Sequence, residues 1–141
     1  MLSGRVTLNL AAADDVGAAR HRARSFVTEH WPDSASLADA AEVIVGELGA
    51  NSLLHGGAPA GVEFAKQGQT LRMAFTDASA ELPVLHSDAS DVDEHHRGLL
   101  LATAFAEEHG GHLDVKPGAD GLGKTVVCTL SASDQAAARS S

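Results

Sequence analysis

The chain has 141 residues and a formal net charge of −9, a length that suits one domain with a single core. Nucleic-acid binding relies on positive side chains that neutralise phosphates, so this acidic balance disfavours it and favours a neutral or basic protein surface as partner. No apolar run is long enough to cross a bilayer, no basic and apolar leader opens the chain, and the single cysteine cannot form an internal disulfide. We therefore expect a cytoplasmic protein with no membrane partner.

The first half of the chain predicts one strand and two helices. The segment RVTLNL, residues 5–10, alternates apolar and polar side chains, which is typical of a half-buried strand. Asp14 and Asp15 then offer an N-cap for a helix that ends near Pro32. SLAD, residues 36–39, resembles a capping box, and the helix that follows it should stop at Gly56–Gly57.

The second half predicts four strands and one helix. GVEFA and TLRMAFTD read as strands joined by the turn KQGQ, and the acidic stretch 80–94 reads as a long loop. A third helix should run from Gly98 to about His109 with Leu101, Ala102 and Phe105 inward. HLDV and KTVVCTL read as the closing strands, and Cys128 on the last one is expected to be a small buried residue.

These elements together predict a single α/β domain. We expect a two-layer sandwich in which a mixed, mainly antiparallel sheet carries three helices on one face. The domain should span residues 1–130, and the small polar residues 131–141 should form a flexible tail.

The segment GADGLGKT, residues 118–125, fits the P-loop pattern G-x-x-x-x-G-K-[ST] letter for letter. A P-loop needs a helix directly after it, because the helix N-terminus and the loop amides bind the phosphates together. The segment that starts at Lys124 instead reads as a strand close to the end of the sequence. We therefore predict a glycine-rich turn before the last strand.

The second helix carries three polar residues beside its apolar stripe. Glu47 and Asn51 are four residues apart and share one helix face, while His55 falls near the centre of the stripe. Such groups either pair internally or line a site. In the second case Asn51 can offer an amide oxygen to Mg²⁺, and Glu47 can polarise a hydroxyl that attacks a γ-phosphate.

Four segments together resemble the histidine-kinase-like (Bergerat-fold) ATPases, and most closely the small anti-sigma-factor serine kinases and their actinobacterial relatives. ELGANSLLHGGAP is similar to the family's E-L-x-x-N-A-x-x-H-G segment, and FTDASAELP to its D-x-S/G-x-x-x-P segment. HHRGLLLATAFAEEHG and GLGKTVVCTL are similar to the glycine-led helix and the final strand. The resemblance runs in order from about residue 18 to residue 130, and it implies the Bergerat ATP-binding fold.

This resemblance implies a role for each matched residue. Glu47 would be the general base, Asn51 would hold Mg²⁺ between the phosphates of ATP, and Asp77 would accept a hydrogen bond from the adenine amino group. An acceptor-only carboxylate suits that donor. The helix amides after Gly98 would face phosphate. The remaining positions implied to contact the nucleotide are His55, Arg97, Gly98, Leu99, Gly123, Lys124 and Thr125.

The sequence departs from the family pattern at several points. His95 and His96 stand where relatives carry glycines, Val127 replaces a tryptophan, and His109 stands where a tryptophan often precedes the glycine. The acidic, histidine-rich stretch could supply ligands to a transition metal, but no spacing matches an established zinc pattern, so a solvated lid is the preferred interpretation.

The resemblance implies an ATP-dependent protein serine kinase that also binds a sigma factor. Its phosphoryl acceptor would be a serine on an anti-sigma-antagonist protein, and a homodimer through a sheet edge is one expectation. The alternative is a catalytically inactive regulator of the same fold that acts through protein binding alone. A third hypothesis is a separate nucleotide-binding relative of a sensor kinase's catalytic domain.

Overall fold

The computed structural model describes residues 3–55, 60–77, 94–117 and 123–132, which form an α/β sandwich. The strands are β1 (Ser3–Leu10), β2 (Ala60–Gln67), β3 (Thr70–Asp77), β4 (His112–Pro117) and β5 (Lys124–Ser131). The helices are α1 (Ala13–His30), α2 (Ala35–His55) and α3 (Glu94–Glu108). None of these described helices combines the length and the apolarity that a membrane crossing requires.

The strands form one sheet in the order β1-β2-β3-β5-β4, and each of the four described pairings is antiparallel. The predicted class is therefore confirmed, although a mixed sheet was expected. The reason lies in the connection between β1 and β2, which contains two helices. The helix pair returns the chain to the end where β1 stopped, so that Ala60 pairs with Leu10; a single crossover helix would have favoured a parallel neighbour.

One face of the sheet is covered by the helices and the other is open. Phe64 on β2 and Met73 and Phe75 on β3 are buried against the helices, and the ring centroids of Phe26 on α1 and Phe64 lie 6.0 Å apart. The intervening side chains project to the opposite face, because successive strand residues alternate. There they border an open groove of about 520 Å³ that is lined by Arg5, Thr7, Asn9, Gly61, Glu63, Arg72, Ala74 and Thr76, with the neighbouring strand residues Ala60 and Val62.

The first helix begins slightly earlier than the predicted cap. It starts at Ala13, and the carboxylate of Asp15 accepts hydrogen bonds from the backbone N–H groups of Ala11 and Ala12 at 2.8 and 3.0 Å. These bonds lower the pKa of Asp15, because they stabilise its charged form. Asp15 therefore satisfies amides at the helix start from inside the first turn, where a negative charge also suits the helix dipole.

The third helix ends in a glycine motif that packs tightly on the last strand. The N–H of Gly111 donates to the carbonyl of Ala106 at 2.8 Å, and Gly110 has a φ of 68°. This is the backbone geometry of a glycine C-cap. A Cβ on Gly111 would lie 1.6 Å from the carbonyl oxygen of Thr129, so only glycine allows this close approach.

The last strand extends past the predicted end of the domain at residue 130. Ser131 belongs to β5, and its N–H donates to the carbonyl of His109 at 2.8 Å. Ala132 is buried, and its N–H donates to the carbonyl of Gln69 at 2.7 Å. These two residues are therefore packed on the domain, while the expected tail from residue 133 lies outside the described residues.

Candidate functional site

The chain path brings most of the predicted site positions to one end of the domain, which we call the Asp77 end. Helix α2 finishes at His55, and β2 starts only a few residues later at Ala60. Gly61 pairs with Thr76, so the end of α2 lies beside the end of β3 at Asp77. Lys124, the first residue of β5, pairs directly with Asp77. The polar residues in the last part of α2 and the ends of two neighbouring strands therefore converge.

The direction of α3 places its start at the same end. His109, directly after α3, has its Nε2 atom 3.1 Å from Oγ of Ser36 in the first turn of α2. The two helices pack against each other, so α3 runs back along α2 and its start lies nearer to the C-terminal part of α2. The backbone of the predicted phosphate-facing segment thus belongs to the Asp77 end.

Glu47 lies on the line of α2 that carries Ser36, and Asn51 lies about one turn further along the helix. Glu47 is eleven residues after Ser36, which is close to three helical turns, so the two residues share one line along the helix. Both Glu47 and Asn51 are partly exposed. Glu47 also borders an open groove of about 420 Å³ with Arg20 of α1. Its side chain is therefore partly accessible from solvent.

Asp77 and Lys124 form a buried ion pair that the sequence analysis did not predict. The Nζ atom of Lys124 donates to Oδ1 of Asp77 at 2.9 Å, and the side chains are only 7% and 3% exposed. Both lie on the helix-covered face, since Asp77 continues the alternation of the buried Met73 and Phe75. The predicted adenine-binding carboxylate thus faces the helices and already carries a cation partner. That Lys124 contacts phosphate stays a prediction.

The glycine before Lys124 has the conformation that the turn interpretation requires. Gly123 is buried and has a φ of 75°, a value that residues with a Cβ rarely adopt. Strand β5 follows immediately, from Lys124 to Ser131. The prediction that GADGLGKT does not form a P-loop is therefore confirmed in its essential part, because a strand stands where the phosphate-binding helix would have to begin.

Thr125 is separated from Asp77 by the thickness of the sheet. Its hydroxyl lies 3.4 Å from that of Thr76, the residue directly opposite. Thr76 lines the open groove on the uncovered face, whereas Asp77 and Lys124 point towards the helices. The structure therefore does not bring the Thr125 side chain together with the ion pair, and its contact with nucleotide stays a prediction.

The third helix starts earlier than expected, and one of its apolar residues points outward. It begins at Glu94, so Arg97, Gly98 and Leu99 lie within its first two turns, and Gly98 does not open it. A glutamate in the first turn favours this start, because it complements the positive end of the helix dipole. Leu101 is 39% exposed although it was expected inward, because Ala102 and Ala106 occupy the buried face.

Other predicted positions fall outside what the structure describes. Residues 78–93, which include most of the acidic, histidine-rich stretch, are not among the described residues, and neither are the side chains of His55 and of residues 94–99. Among the described residues, no group of histidine, cysteine, aspartate or glutamate side chains could hold a metal ion. The metal alternative for this stretch therefore remains a prediction.

Cys128 is buried on β5, as predicted. Burial raises the pKa of its thiol to about 12, because the charged thiolate is poorly solvated there. A thiol with this pKa is almost entirely protonated at neutral pH, which disfavours Cys128 as a nucleophile.

Comparison with known proteins identifies the fold. The sequence matches no known protein family and no curated protein. Among solved structures, the chain is similar to the histidine kinase domain of the blue-light activated histidine kinase EL346 from Erythrobacter litoralis. The TM-score is 0.55, the sequence identity is 20%, and the match covers 85% of this chain and 62% of that one. A second structure of that kinase matches with a TM-score of 0.53, 20% identity and coverage of 86% and 43%. This chain thus spans less than two thirds of those chains. It has the histidine-kinase-like ATPase fold.

Proposed function

We propose that this domain binds an adenine nucleotide with Mg²⁺ at the Asp77 end. The supporting observation is the convergence at that end of Glu47 and Asn51 on α2, Asp77 on β3 and the start of α3. Asn51 supplies an amide oxygen for a hard cation, and Asp77 supplies a carboxylate for the exocyclic amino group of adenine. The start of α3 supplies the free backbone N–H groups of a helix start for phosphate. The donor set fits the nucleotide and its metal ion.

Each residue has a distinct task in this proposal. Asn51 holds the metal ion, which neutralises charge on the phosphates when it is bound. Glu47 accepts the proton of an incoming hydroxyl, and its position beside an open groove suits a hydroxyl on another protein. Asp77 orients the base. The domain would then act as a protein serine kinase on an anti-sigma-antagonist protein, and it would also bind a sigma factor.

The net charge of −9 supports the protein partners in this proposal. An acidic domain is steered towards neutral or basic protein surfaces and away from nucleic acid. The charge does not distinguish between partners, so the sigma factor and the antagonist are named only on the sequence resemblance.

One observation favours the alternative of a catalytically inactive regulator. The carboxylate that should receive the adenine amino group already contacts Lys124 at 2.9 Å. If that contact excludes the base, the domain acts by protein binding alone.

Calorimetric titration of the purified protein with ATP, with and without Mg²⁺, separates the two functions. The kinase proposal expects saturable binding that Mg²⁺ strengthens, together with radiolabel transfer from ATP to a serine-bearing antagonist. Absence of binding at millimolar ATP would establish the alternative, and binding without transfer would retain nucleotide binding and remove the catalytic role.

A further inference from the structure

We infer that Lys124 is a positioning residue for purine recognition, which acts by fixing the Asp77 carboxylate. This inference rests on the proposed nucleotide binding and assigns Lys124 to the base instead of the phosphates. It makes the ion pair a determinant of selectivity for a purine that carries a 6-amino group.

The position of the pair supports this role. Asp77 ends β3 and Lys124 begins β5, and the two residues face each other across the antiparallel ladder. Their side chains are buried, and the backbone of Lys124 is held by the buried Gly123 on one side and by the paired strand on the other. Lys124 is therefore an immobilised side chain at the sheet end, unlike an ordinary surface lysine.

The chemistry of the contact explains how Lys124 acts through its partner. The carboxyl group of an aspartate rotates easily, because the torsion of a terminal sp²-hybridised group is broad. A donor at 2.9 Å from Oδ1 fixes the carboxylate plane, and a hydrogen bond to a base depends strongly on that plane. A buried carboxylate that loses its cation is also left with an uncompensated charge, which favours a change in its orientation.

Selectivity is the readout that distinguishes positioning from a purely structural role. In inosine triphosphate a carbonyl replaces the 6-amino group of ATP, so that an acceptor meets the acceptor-only carboxylate. If Lys124 only stabilised the fold, its loss would weaken both nucleotides by the same factor. If it orients Asp77, its loss weakens ATP specifically.

The experiment compares dissociation constants for ATP and inosine triphosphate in the full chain. We expect the wild type to prefer ATP by about 10-fold to 100-fold, the usual contribution of a hydrogen bond to a charged group. Lys124→Met should bring this ratio to within about 3-fold of unity, and Lys124→Arg should restore most of it, because a guanidinium can donate to the same oxygen. Lys116→Met is the matched control, since Lys116 is exposed on the neighbouring strand β4.

The outcomes separate the two claims. A wild type that binds neither nucleotide would overturn the proposed function together with this inference. A wild type that prefers ATP and a folded Lys124→Met variant with an unchanged ratio would overturn the inference alone. If circular dichroism shows that Lys124→Met does not fold, Lys124→Gln replaces it under the same criterion, because it also removes the charge and shortens the side chain.

Discussion

At one end of the domain His109 joins three elements through neutral hydrogen bonds, and at the other Asp77 and Lys124 meet as a charged pair. Nδ1 of His109 donates to the carbonyl of Phe105 at 2.9 Å, which leaves Nε2 to accept from the hydroxyl of Ser36 at 3.1 Å. The backbone carbonyl of His109 accepts from Ser131. His109 is buried and its partner Ser36 is exposed, whereas both Asp77 and Lys124 are buried.

The difference lies in what each contact contributes to stability. A neutral, satisfied network joins helices and sheet with a modest desolvation penalty. A buried ion pair gives little net stability, because the desolvation of two charges offsets their attraction. A gain in folding stability is therefore sufficient reason for the His109 contacts to be present, but it is not sufficient for the Asp77–Lys124 pair. For this reason we assign the charged pair to nucleotide recognition.

The largest expected difference between the two ends concerns the rate of phosphoryl transfer, which should depend on residues at the Asp77 end. Glu47→Ala should lower phosphoryl transfer by roughly 10²-fold to 10⁴-fold, the usual scale for a positioned base, and should leave ATP affinity within a few-fold. Asn51→Ala should reduce both, because the phosphates lose their metal ligand. Radiolabel transfer and ATP titration of each variant measure these effects, with Glu107→Ala on the exposed face of α3 as the control. Equal transfer by wild type and Glu47→Ala would exclude Glu47 as the base.

The second contrast concerns the free energy of unfolding. Asp77→Ala should lower it by about 3–5 kcal/mol, because the ammonium group of Lys124 is left buried without its partner. The matched control is Asp114→Ala, whose carboxylate is 54% exposed and contacts His112 at 3.2 Å. Urea denaturation measures both. If the two variants lose equal stability, the ion pair is not buried as the structure places it.

A smaller effect is expected at the other end. Ser36→Ala should lower the free energy of unfolding by about 1 kcal/mol, since one neutral hydrogen bond to His109 is lost. Affinity for ATP should stay unchanged, because Ser36 lies at the opposite end of α2 from Asn51. The measurement pairs urea denaturation with ATP titration, and His112→Ala on the exposed edge strand is the control. A loss of ATP affinity in Ser36→Ala would show that the two ends are coupled.

The remaining effect is absent at neutral pH, appears only at high pH and comes from the core between the two ends. The thiol of Cys128 has an ordinary pKa of 9.0, which burial raises to about 12. The unfolded chain therefore loses this proton at lower pH than the folded chain. The stabilising contribution is complete below pH 9.0, and it falls above that value by about 1.4 kcal/mol per pH unit until the folded thiol ionises.

Comparison of the wild type with Cys128→Ala isolates this contribution, because all other groups titrate in both proteins. Urea denaturation between pH 8 and 10.5 should show a steeper loss of stability in the wild type. Parallel curves would mean that the thiol is not as buried as the structure places it.

Local sequence patterns were sufficient for the elements and the fold class. The alternation in β1 and β3 predicted strands, and the glycines after α3 predicted its end. The start of α3 was placed four residues too late, because Gly98 was taken as a helix opener, whereas the acidic residue at Glu94 provides the more favourable first turn. Leu101 was wrongly placed inward, because the small residues Ala102 and Ala106 fill the interface.

The ion pair could not be predicted from local patterns. Asp77 and Lys124 are 47 residues apart, and they meet only because β3 and β5 pair in one particular register. A shift of one residue would have sent Lys124 to the open face, where Thr125 now lies. The only sequence signal for the ion pair was a lysine at the start of an apolar strand. Because this lysine also fits the P-loop pattern, the sequence suggested a contact with phosphate instead.

The most direct test of the central claim is ATP titration in the presence of Mg²⁺, comparing the wild type with Asp77→Asn and with the exposed control Asp114→Asn. Asparagine keeps the shape of the side chain but replaces an acceptor-only group by a mixed donor and acceptor. The account predicts saturable binding by the wild type and the control, and an affinity at least about 10-fold lower for Asp77→Asn. Equal affinities for all three proteins, or no binding by the wild type at millimolar ATP, would contradict it.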